Sequence, residues 1–250
     1  MCADCGCGKT DVNPGVRYAP VSASTSRVEV LRRLLSENDT AAEHNRCHFD
    51  ANHVLAVNLM SSPGAGKTAL LEASIDALSD EYRIAVIVGD LETENDARRI
   101  RAKGVPVVQI TTGSACHLDA SMVHDAWHRL PHDRVDILFI ENVGNLVCPA
   151  SFDLGQHHDI VLLSVTEGDD KPAKYPVMFR AADLLLITKV DLLPYLDDFD
   201  ESRARRFMHQ IAGHAPVLSI SARKDMGMDE WLAWLRRMHA ARGRFRQEAR

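Results

Sequence analysis

One stretch of this sequence limits the possible folds more than any other: residues 58–68, which read NLMSSPGAGKT. An apolar run at 54–60 leads into its glycines, and apolar residues at helical spacing follow it, namely Leu71, Ile75 and Leu78. The stretch is therefore typical of a strand, a glycine-containing turn and a helix. It matches the phosphate-loop pattern G-x-x-x-x-G-K-[ST] except at the first position, where Ser61 replaces glycine. An ordinary glycine-rich turn would leave the Lys67-Thr68 pair unexplained.

This loop has the chemistry needed to hold a nucleoside triphosphate. Gly64 and Gly66 allow the backbone to curl with its N–H groups pointing inward, and a helix N-terminus adds partial positive charge. Lys67 can reach the β- and γ-phosphates, and the Thr68 hydroxyl can bind Mg²⁺. We therefore predict that the nucleotide is bound by Ser62, Gly64, Ala65, Gly66, Lys67 and Thr68. Lys67 and Thr68 are also predicted to act in catalysis.

Composition limits the partners of the chain. With 250 residues, 46% of them hydrophobic, it can bury one large core and carry a short appendage. A net charge of -6 argues against nucleic-acid binding, because a phosphate backbone favours a basic surface. The sequence has neither a membrane-length apolar run nor a signal-peptide pattern, so we expect a cytoplasmic protein without a membrane partner. In a reducing compartment its six cysteines are better explained as metal ligands or buried thiols than as disulfides.

The N-terminus carries three closely spaced cysteines, Cys2, Cys5 and Cys7, with glycines between and after them. Three thiols on a flexible segment favour a soft-metal site. Thiolate and nitrogen ligands suit square-planar Ni²⁺, whereas Zn²⁺ would accept a tetrahedral version. A redox Cys-x-x-Cys motif would require a folded βαβ context that is missing here. Residues 1–9 are therefore predicted to be a metal-binding motif, and residues 10–27 a flexible linker.

Beyond the linker, apolar spacing predicts an amphipathic helix that starts at Val28. His44, Cys47, His48 and His53 follow close together in sequence. Their spacing does not match a known ligand set, so we favour solvated or packing roles over a metal site.

Further apolar runs predict strands at 84–88, 105–110, 135–140, 160–165, 184–187 and 217–221. Helical segments separate them. The pattern indicates an α/β fold with a mostly parallel β-sheet and helices on both faces.

Acidic residues follow two of these strands. Asp90 follows a strand beside the phosphate loop, where its carboxylate could bind Mg²⁺ or a water molecule coordinated to it. A helix is predicted at 93–103, and capping of that helix fits the position of Asp90 equally well. Glu141 follows another strand, three residues before Gly144. In phosphate-loop proteins such an acid organises water or Mg²⁺ near the γ-phosphate, and the glycine amide senses that phosphate. We predict catalytic roles for Asp90 and Glu141 and nucleotide binding by Gly144.

A second set of soft ligands follows two strands. A Gly-Ser turn at 113–114 is predicted to open a helix, with Cys116 and His117 at its start, and Cys148 comes shortly after Glu141. The three side chains could converge beside the nucleotide as a metal site. For Cys148 alone, a buried thiol would be the simpler explanation.

A guanine signature follows the strand at 184–187. Thr188-Lys189-Val190-Asp191 is close to Asn-Lys-x-Asp, by which GTPases recognise guanine. Asp191 can accept hydrogen bonds from guanine N1–H and the 2-amino group, a donor pair that adenine lacks, while the Lys189 stem lies along the base. The usual Asn connects this loop to the phosphate loop. Because Thr188 replaces it, that contact would depend on the threonine hydroxyl. Ser221 and Ala222 lie where a guanine-capping loop is expected.

Together these motifs resemble the HypB family, GTPases that help deliver nickel to [NiFe]-hydrogenase. The resemblance covers residues 44–240 and the first eight, and rests on MCxxCGCG at 1–8, SSPGAGKT at 61–68, CH at 116–117, ENVGNLVCP at 141–149 and TKVDLLPY at 188–195. It implies a phosphate-loop fold of the SIMIBI class, GTP hydrolysis and a GTP-dependent homodimer. In that dimer Cys116, His117 and Cys148 would bind Ni²⁺ or Zn²⁺ at the interface, and the N-terminal cysteines would form a tighter Ni²⁺ site.

The resemblance also implies that Asp90 coordinates Mg²⁺ and that the partners are the nickel chaperone HypA and the hydrogenase large subunit. Residues 28–250 would then form a GTPase domain with the second metal site. The chain lacks the His-rich tract of many relatives, which argues against bulk nickel storage. Alternatives are a nickel- or zinc-sequestering protein with a structural nucleotide, an ATPase of the same fold with another cargo, or a GTPase serving another metalloenzyme such as urease.

Overall fold

The computed structural model describes the backbone of residues 27–248 except 93, 114, 132 and 133, and the side chains of 32–242 apart from the same four. The predicted motif of Cys2, Cys5 and Cys7 and the linker up to residue 26 lie outside the described residues, so both stay predictions. No helix in the described part is long and apolar enough to cross a membrane. The chain divides into two units between Leu35 and Ser36, and the sheet belongs to the second.

The strands of the described residues are β1 Leu55–Ser61, β2 Ile84–Asp90, β3 Val107–Thr111, β4 Ile137–Glu141, β5 His158–Ser164, β6 Leu184–Thr188 and β7 Val217–Ile220. They form one seven-stranded sheet in the order β3-β2-β4-β1-β5-β6-β7, and each neighbouring pair is parallel. Every apolar run predicted to be a strand is one. The sheet is parallel throughout, so the prediction of a mostly parallel sheet is confirmed. Because β1 is central, the loop that follows it lies in the middle of the carboxyl edge.

The helices are α1 Arg27–Ala51, α2 Lys67–Leu78, α3 Asn95–Arg101, α4 Ala120–Trp127, α5 Lys171–Lys174, α6 Pro176–Arg180, α7 Glu201–Ile211 and α8 Met228–Glu248. Alternate residues of the strands point to opposite faces of the sheet. On one face Val57 and Leu59 pack in a core with α2, α3 and α8. On the other, Ala56 packs with α1 and α4, and Met60 with α6 and α7. Helices therefore cover both faces, as predicted.

Helix α1 extends further than the apolar pattern at its start indicated. It continues to Ala51, because Phe49 is fully buried against Trp127 of α4, with ring centroids 5.2 Å apart. As a result, His44 and His48 lie one turn apart on the same helix.

Candidate functional site

The phosphate-loop residues connect the end of β1 to the start of α2. Gly64 and Gly66 have φ angles of 77° and 104°, in the left-handed region that glycine adopts without a steric penalty. Gly66 is the N-cap of α2, which begins at Lys67. The loop therefore presents the N-terminus of a buried helix at the centre of the sheet edge.

Lys67 is buried, and its Nζ donates a hydrogen bond to Ser61 Oγ at 3.0 Å. The serine that replaces the first glycine of the pattern thus supplies an acceptor for the lysine. Burial lowers the pKa of Lys67, and the negative charge of Glu141 opposes that shift. The Ser62 hydroxyl donates a hydrogen bond to Glu167, an interaction that the sequence did not indicate.

Thr68 and Glu141 form a hydrogen-bonded pair in the site. Thr68 Oγ1 donates to Glu141 Oε1 at 2.9 Å, and burial raises the pKa of Glu141 to about 7. Glu141 Oε2 is buried and has no hydrogen-bond partner among the described residues. This orphaned oxygen, the Thr68 hydroxyl and Asp90 are hard donors of the kind that Mg²⁺ prefers. These residues therefore fit the predicted Mg²⁺.

Asp90 ends β2 and lines the same cavity as Lys67 and Thr68. The capping alternative for Asp90 is wrong, since α3 begins at Asn95 with Glu94 in the N-cap position. Helix α3 is therefore shorter at both ends than the helix predicted at 93–103.

The phosphate loop and the guanine signature line one cavity of about 620 Å³. Thr188 Oγ1 donates to Ala65 O at 2.7 Å, and Lys189 Nζ donates to Gly64 O at 2.6 Å. The threonine hydroxyl therefore makes the contact with the phosphate loop that asparagine usually makes. The other predicted nucleotide-binding residues that line the cavity are Gly144, Asp191, Ser221 and Ala222.

The second set of predicted metal ligands comes together. Cys116 Sγ and Cys148 Sγ are 2.8 Å apart, and Cys116 Sγ is 3.8 Å from His117 Nδ1. The ligand atoms of all three residues lie within 4.8 Å of one another. The hydrogen bond between the two thiols raises the pKa of Cys148, and burial lowers the pKa of His117. Two sulfurs and one imidazole can bind a soft or borderline cation such as Ni²⁺ or Zn²⁺.

One predicted feature of this region is wrong. The helix does not open at the Gly-Ser turn with Cys116 and His117 at its start; it begins at Ala120. Asp119 caps it, because its side chain accepts a hydrogen bond from Met122 N at 2.8 Å. Cys116 and His117 therefore lie in the preceding loop, where the ring of His117 stacks on Phe152 with centroids 3.9 Å apart.

Asn142 forms a wall shared by the nucleotide cavity, which it lines, and the loop of the predicted metal ligands. Asn142 follows Glu141 and is buried; its Oδ1 accepts from Leu118 N at 3.2 Å, immediately after His117. The side chain of Leu118 in turn leaves no room for a Cβ on Gly89, which would lie 2.8 Å from Leu118 Cγ. The loop that carries Cys116 and His117 is therefore held against the ends of β2 and β4.

A second contact runs through Gly144. A Cβ there would lie 2.9 Å from Pro63 Cα, so only glycine allows this approach to the phosphate loop. The next residue, Asn145, donates from Nδ2 to Cys116 O at 3.2 Å. One short segment thus contacts both the phosphate loop and the predicted metal ligand Cys116.

Some residues of the site gave no signal in the sequence. Asp96 and Arg99 of α3 line the nucleotide cavity, and Arg99 also pairs with Glu72 at 2.6 Å. Phe152 stacks on His117, and Asn142 bonds the loop that carries it. Asp96, Arg99 and Phe152 lie outside every motif, and Asn142 lies inside ENVGNLVCP without a predicted role.

Comparison with known proteins shows which family the chain resembles. The family model described as CobW/HypB/UreG, nucleotide-binding domain, matches residues 55–219. The hydrogenase maturation factor HypB of Escherichia coli strain K12 is 51% identical over 224 residues, which are 90% of this chain and 77% of that protein. HypB of Azotobacter chroococcum is 49% identical over 94% of this chain and 77% of its own length. The crystal structure of HypB from Helicobacter pylori in complex with nickel is 41% identical, covers 82% of this chain and 96% of its own, and has a TM-score of 0.78.

Proposed function

The chain belongs to the HypB family of hydrogenase maturation factors, and from this premise we propose that it is a GTP-hydrolysing metallochaperone for nickel. In this proposal Ni²⁺ is the cargo, which the protein delivers to the large subunit of [NiFe]-hydrogenase. GTP binding and hydrolysis control when the metal is held and when it is released. Zn²⁺ is an alternative occupant of the same ligands.

Each part of the nucleotide site has a role in this function. Asp191 selects guanine, and Thr188 holds the base-binding segment to the phosphate loop. Lys67 neutralises the β- and γ-phosphates, and Glu141 orients the attacking water through its buried carboxylate. Mg²⁺, held by Thr68 and Asp90, would supply charge neutralisation at the phosphates.

The observation that carries the proposal is the shared wall. Thr68 is hydrogen-bonded to Glu141, the neighbouring Asn142 is hydrogen-bonded to Leu118, and Leu118 follows His117. We propose that bound GTP orders this segment and changes the spacing of the sulfur and imidazole ligands. Hydrolysis would reverse the change and release the ion.

We further propose that GTP promotes a homodimer in which the cluster of Cys116, His117 and Cys148 lies at the interface. Val147, directly before Cys148, is 58% exposed, so an apolar side chain beside the cluster is accessible to a partner subunit. Further proposed partners are the nickel chaperone HypA and the hydrogenase large subunit, in the cytoplasm.

A release experiment tests the proposal. Protein loaded with Ni²⁺ and GTP is mixed with a chromogenic chelator, in a variant with Cys2, Cys5 and Cys7 changed to Ala so that only the second site reports. Nickel should transfer faster with GTP than with a non-hydrolysable analogue, and Lys67→Ala should remove that difference. Equal transfer under all three conditions would favour metal sequestration with a structural nucleotide and overturn the proposal.

A further inference from the structure

Four histidines meet where α1 faces α4, in a cluster separate from the cysteine site. His44 and His48 are one turn apart on α1, and His124 and His128 are one turn apart on α4 and the turn that ends it. Residues spaced by four lie on the same face of a helix. Ring centroids across the two helices are 5.0 Å apart for His44 and His124, and 5.3 Å for His48 and His128.

The ring nitrogens of this cluster converge. His44 Nε2 and His48 Nε2 are 3.0 Å apart, and the ligand atoms of His44, His48 and His124 all lie within 4.8 Å of one another. Two nitrogens bound to one tetrahedral zinc ion at the usual bond length would be about 3.3 Å apart. Small rotations of the imidazoles therefore suffice to place three nitrogens around one ion.

Asn45 fixes the tautomer of His124. The Nδ2 of this buried side chain donates to Ala120 O at 2.7 Å and to Leu154 O at 3.0 Å, and a carbonyl can only accept. The Oδ1 of Asn45 therefore faces His124 Nδ1, 3.1 Å away, as an acceptor, and that nitrogen carries the proton. The lone pair of His124 is then on Nε2. A metal-binding histidine is usually anchored in this way through its other ring nitrogen.

The same asparagine also fixes the distance between the helices. Asn45 lies between His44 and His48 on α1, and one of its hydrogen bonds ends on the first residue of α4. Asn38, about two turns earlier on α1, accepts from Ala120 N at 2.9 Å. These hydrogen bonds hold α1 and α4 together and so fix the spacing of the rings in the cluster.

From this geometry we propose that His44, His48 and His124 bind one divalent transition-metal ion, which joins α1 to α4. Three imidazole nitrogens suit Zn²⁺ in a tetrahedral site, with water or His128 as the fourth ligand. The donor set is all nitrogen, in contrast to the two sulfurs and one nitrogen of the cysteine cluster. The site does not depend on the proposed nickel cargo.

Zinc stoichiometry tests the site without reference to GTP hydrolysis. The parent is the full chain with its six cysteines changed to Ser, so that no thiol binds metal. Equilibrium dialysis should give one zinc ion per chain for this parent and none after the further changes His44→Gln and His124→Gln. The control His53→Asn and His209→Asn removes two histidines outside the cluster and should keep the ion. Equal zinc binding with and without His44 and His124 would overturn the proposal.

A second measurement uses the unsubstituted chain, in case the variants fold poorly. In protein with ¹⁵N-labelled histidine, Zn²⁺ should shift the Nε2 resonances of His44, His48 and His124 and leave His124 Nδ1 protonated. If these Nε2 resonances stay unchanged at saturating Zn²⁺, the proposal is wrong.

Discussion

Asn142→Ala should separate nucleotide binding from metal affinity. Asn142 Oδ1 accepts from Leu118 N at 3.2 Å and from Val143 N at 2.9 Å, and its Nδ2 donates to Asn58 Oδ1 at 3.3 Å. The substitution removes the acceptor of two buried N–H groups. Each such loss costs about 1–3 kcal/mol, so the free energy of unfolding should fall by roughly 2–6 kcal/mol.

Besides lowering stability, Asn142→Ala should specifically weaken the coupling between nucleotide binding and Ni²⁺ affinity. Coupling between two sites is typically about 1–3 kcal/mol, which is about 5- to 150-fold in affinity. We expect a non-hydrolysable GTP analogue to change the Ni²⁺ affinity of the Cys116 cluster within that range in the chain that keeps Asn142, and by less than about twofold in the variant. Isothermal titration of Ni²⁺, with and without the analogue, measures both values. The N-terminal cysteines are changed to Ala in every sample.

A matched control distinguishes coupling from general destabilisation. Ser74 is buried on α2, where its hydroxyl accepts from Trp231 Nε1 and donates to Leu70 O, both far in the chain from the metal loop. Ser74→Ala should lower the melting temperature comparably and leave the coupling intact. The reasoning is refuted if Asn142→Ala keeps the full coupling, or if Ser74→Ala abolishes it to the same extent.

Three further predictions concern single side chains. Thr188→Val should weaken GTP binding about fivefold, for the loss of one hydrogen bond worth about 1 kcal/mol to Ala65 O, whereas Thr188→Ser should bind normally; equal affinities of Val and Ser variants would contradict this. Asp191→Asn should relax the preference for GTP over ATP in competition assays, and an unchanged preference would exclude its role. Burial raises the pKa of Asp159 to about 6 from 3.8, so the folded state binds its proton more tightly than the unfolded chain does. The free energy of unfolding should therefore fall by about 3 kcal/mol as pH rises from 3.8 through 6, and Asp159→Asn should remove this part of the slope in denaturant titrations; an unaltered slope would count against it.

The fold could be predicted largely from local sequence patterns. Buried parallel strands are continuous apolar runs, and each of the seven runs here is bounded by turn or helix residues. Motifs at the ends of β1, β4 and β6 identified the nucleotide site, because the carboxyl ends of parallel strands meet at one edge. The meeting of Cys116 and Cys148 followed from the same rule.

What escaped prediction depends on contacts between distant segments or on single hydrogen bonds. The start of α4 was missed because the Asp119 cap outweighed the Gly-Ser turn. The histidine cluster was missed because His124 meets His44 only through the packing of two helices. No local pattern indicated that Asn142 links the two sites, since its partner Leu118 belongs to another loop.

The central claim is that the GTP cavity and the Cys116 cluster are energetically coupled, and reciprocal titration tests it most directly. The factor by which a GTP analogue changes Ni²⁺ affinity must equal the factor by which Ni²⁺ changes the affinity of the analogue. We predict the same factor in both directions, about fivefold or more, and its disappearance in Cys116→Ala. Binding curves for the analogue that coincide with and without saturating Ni²⁺ would contradict the account.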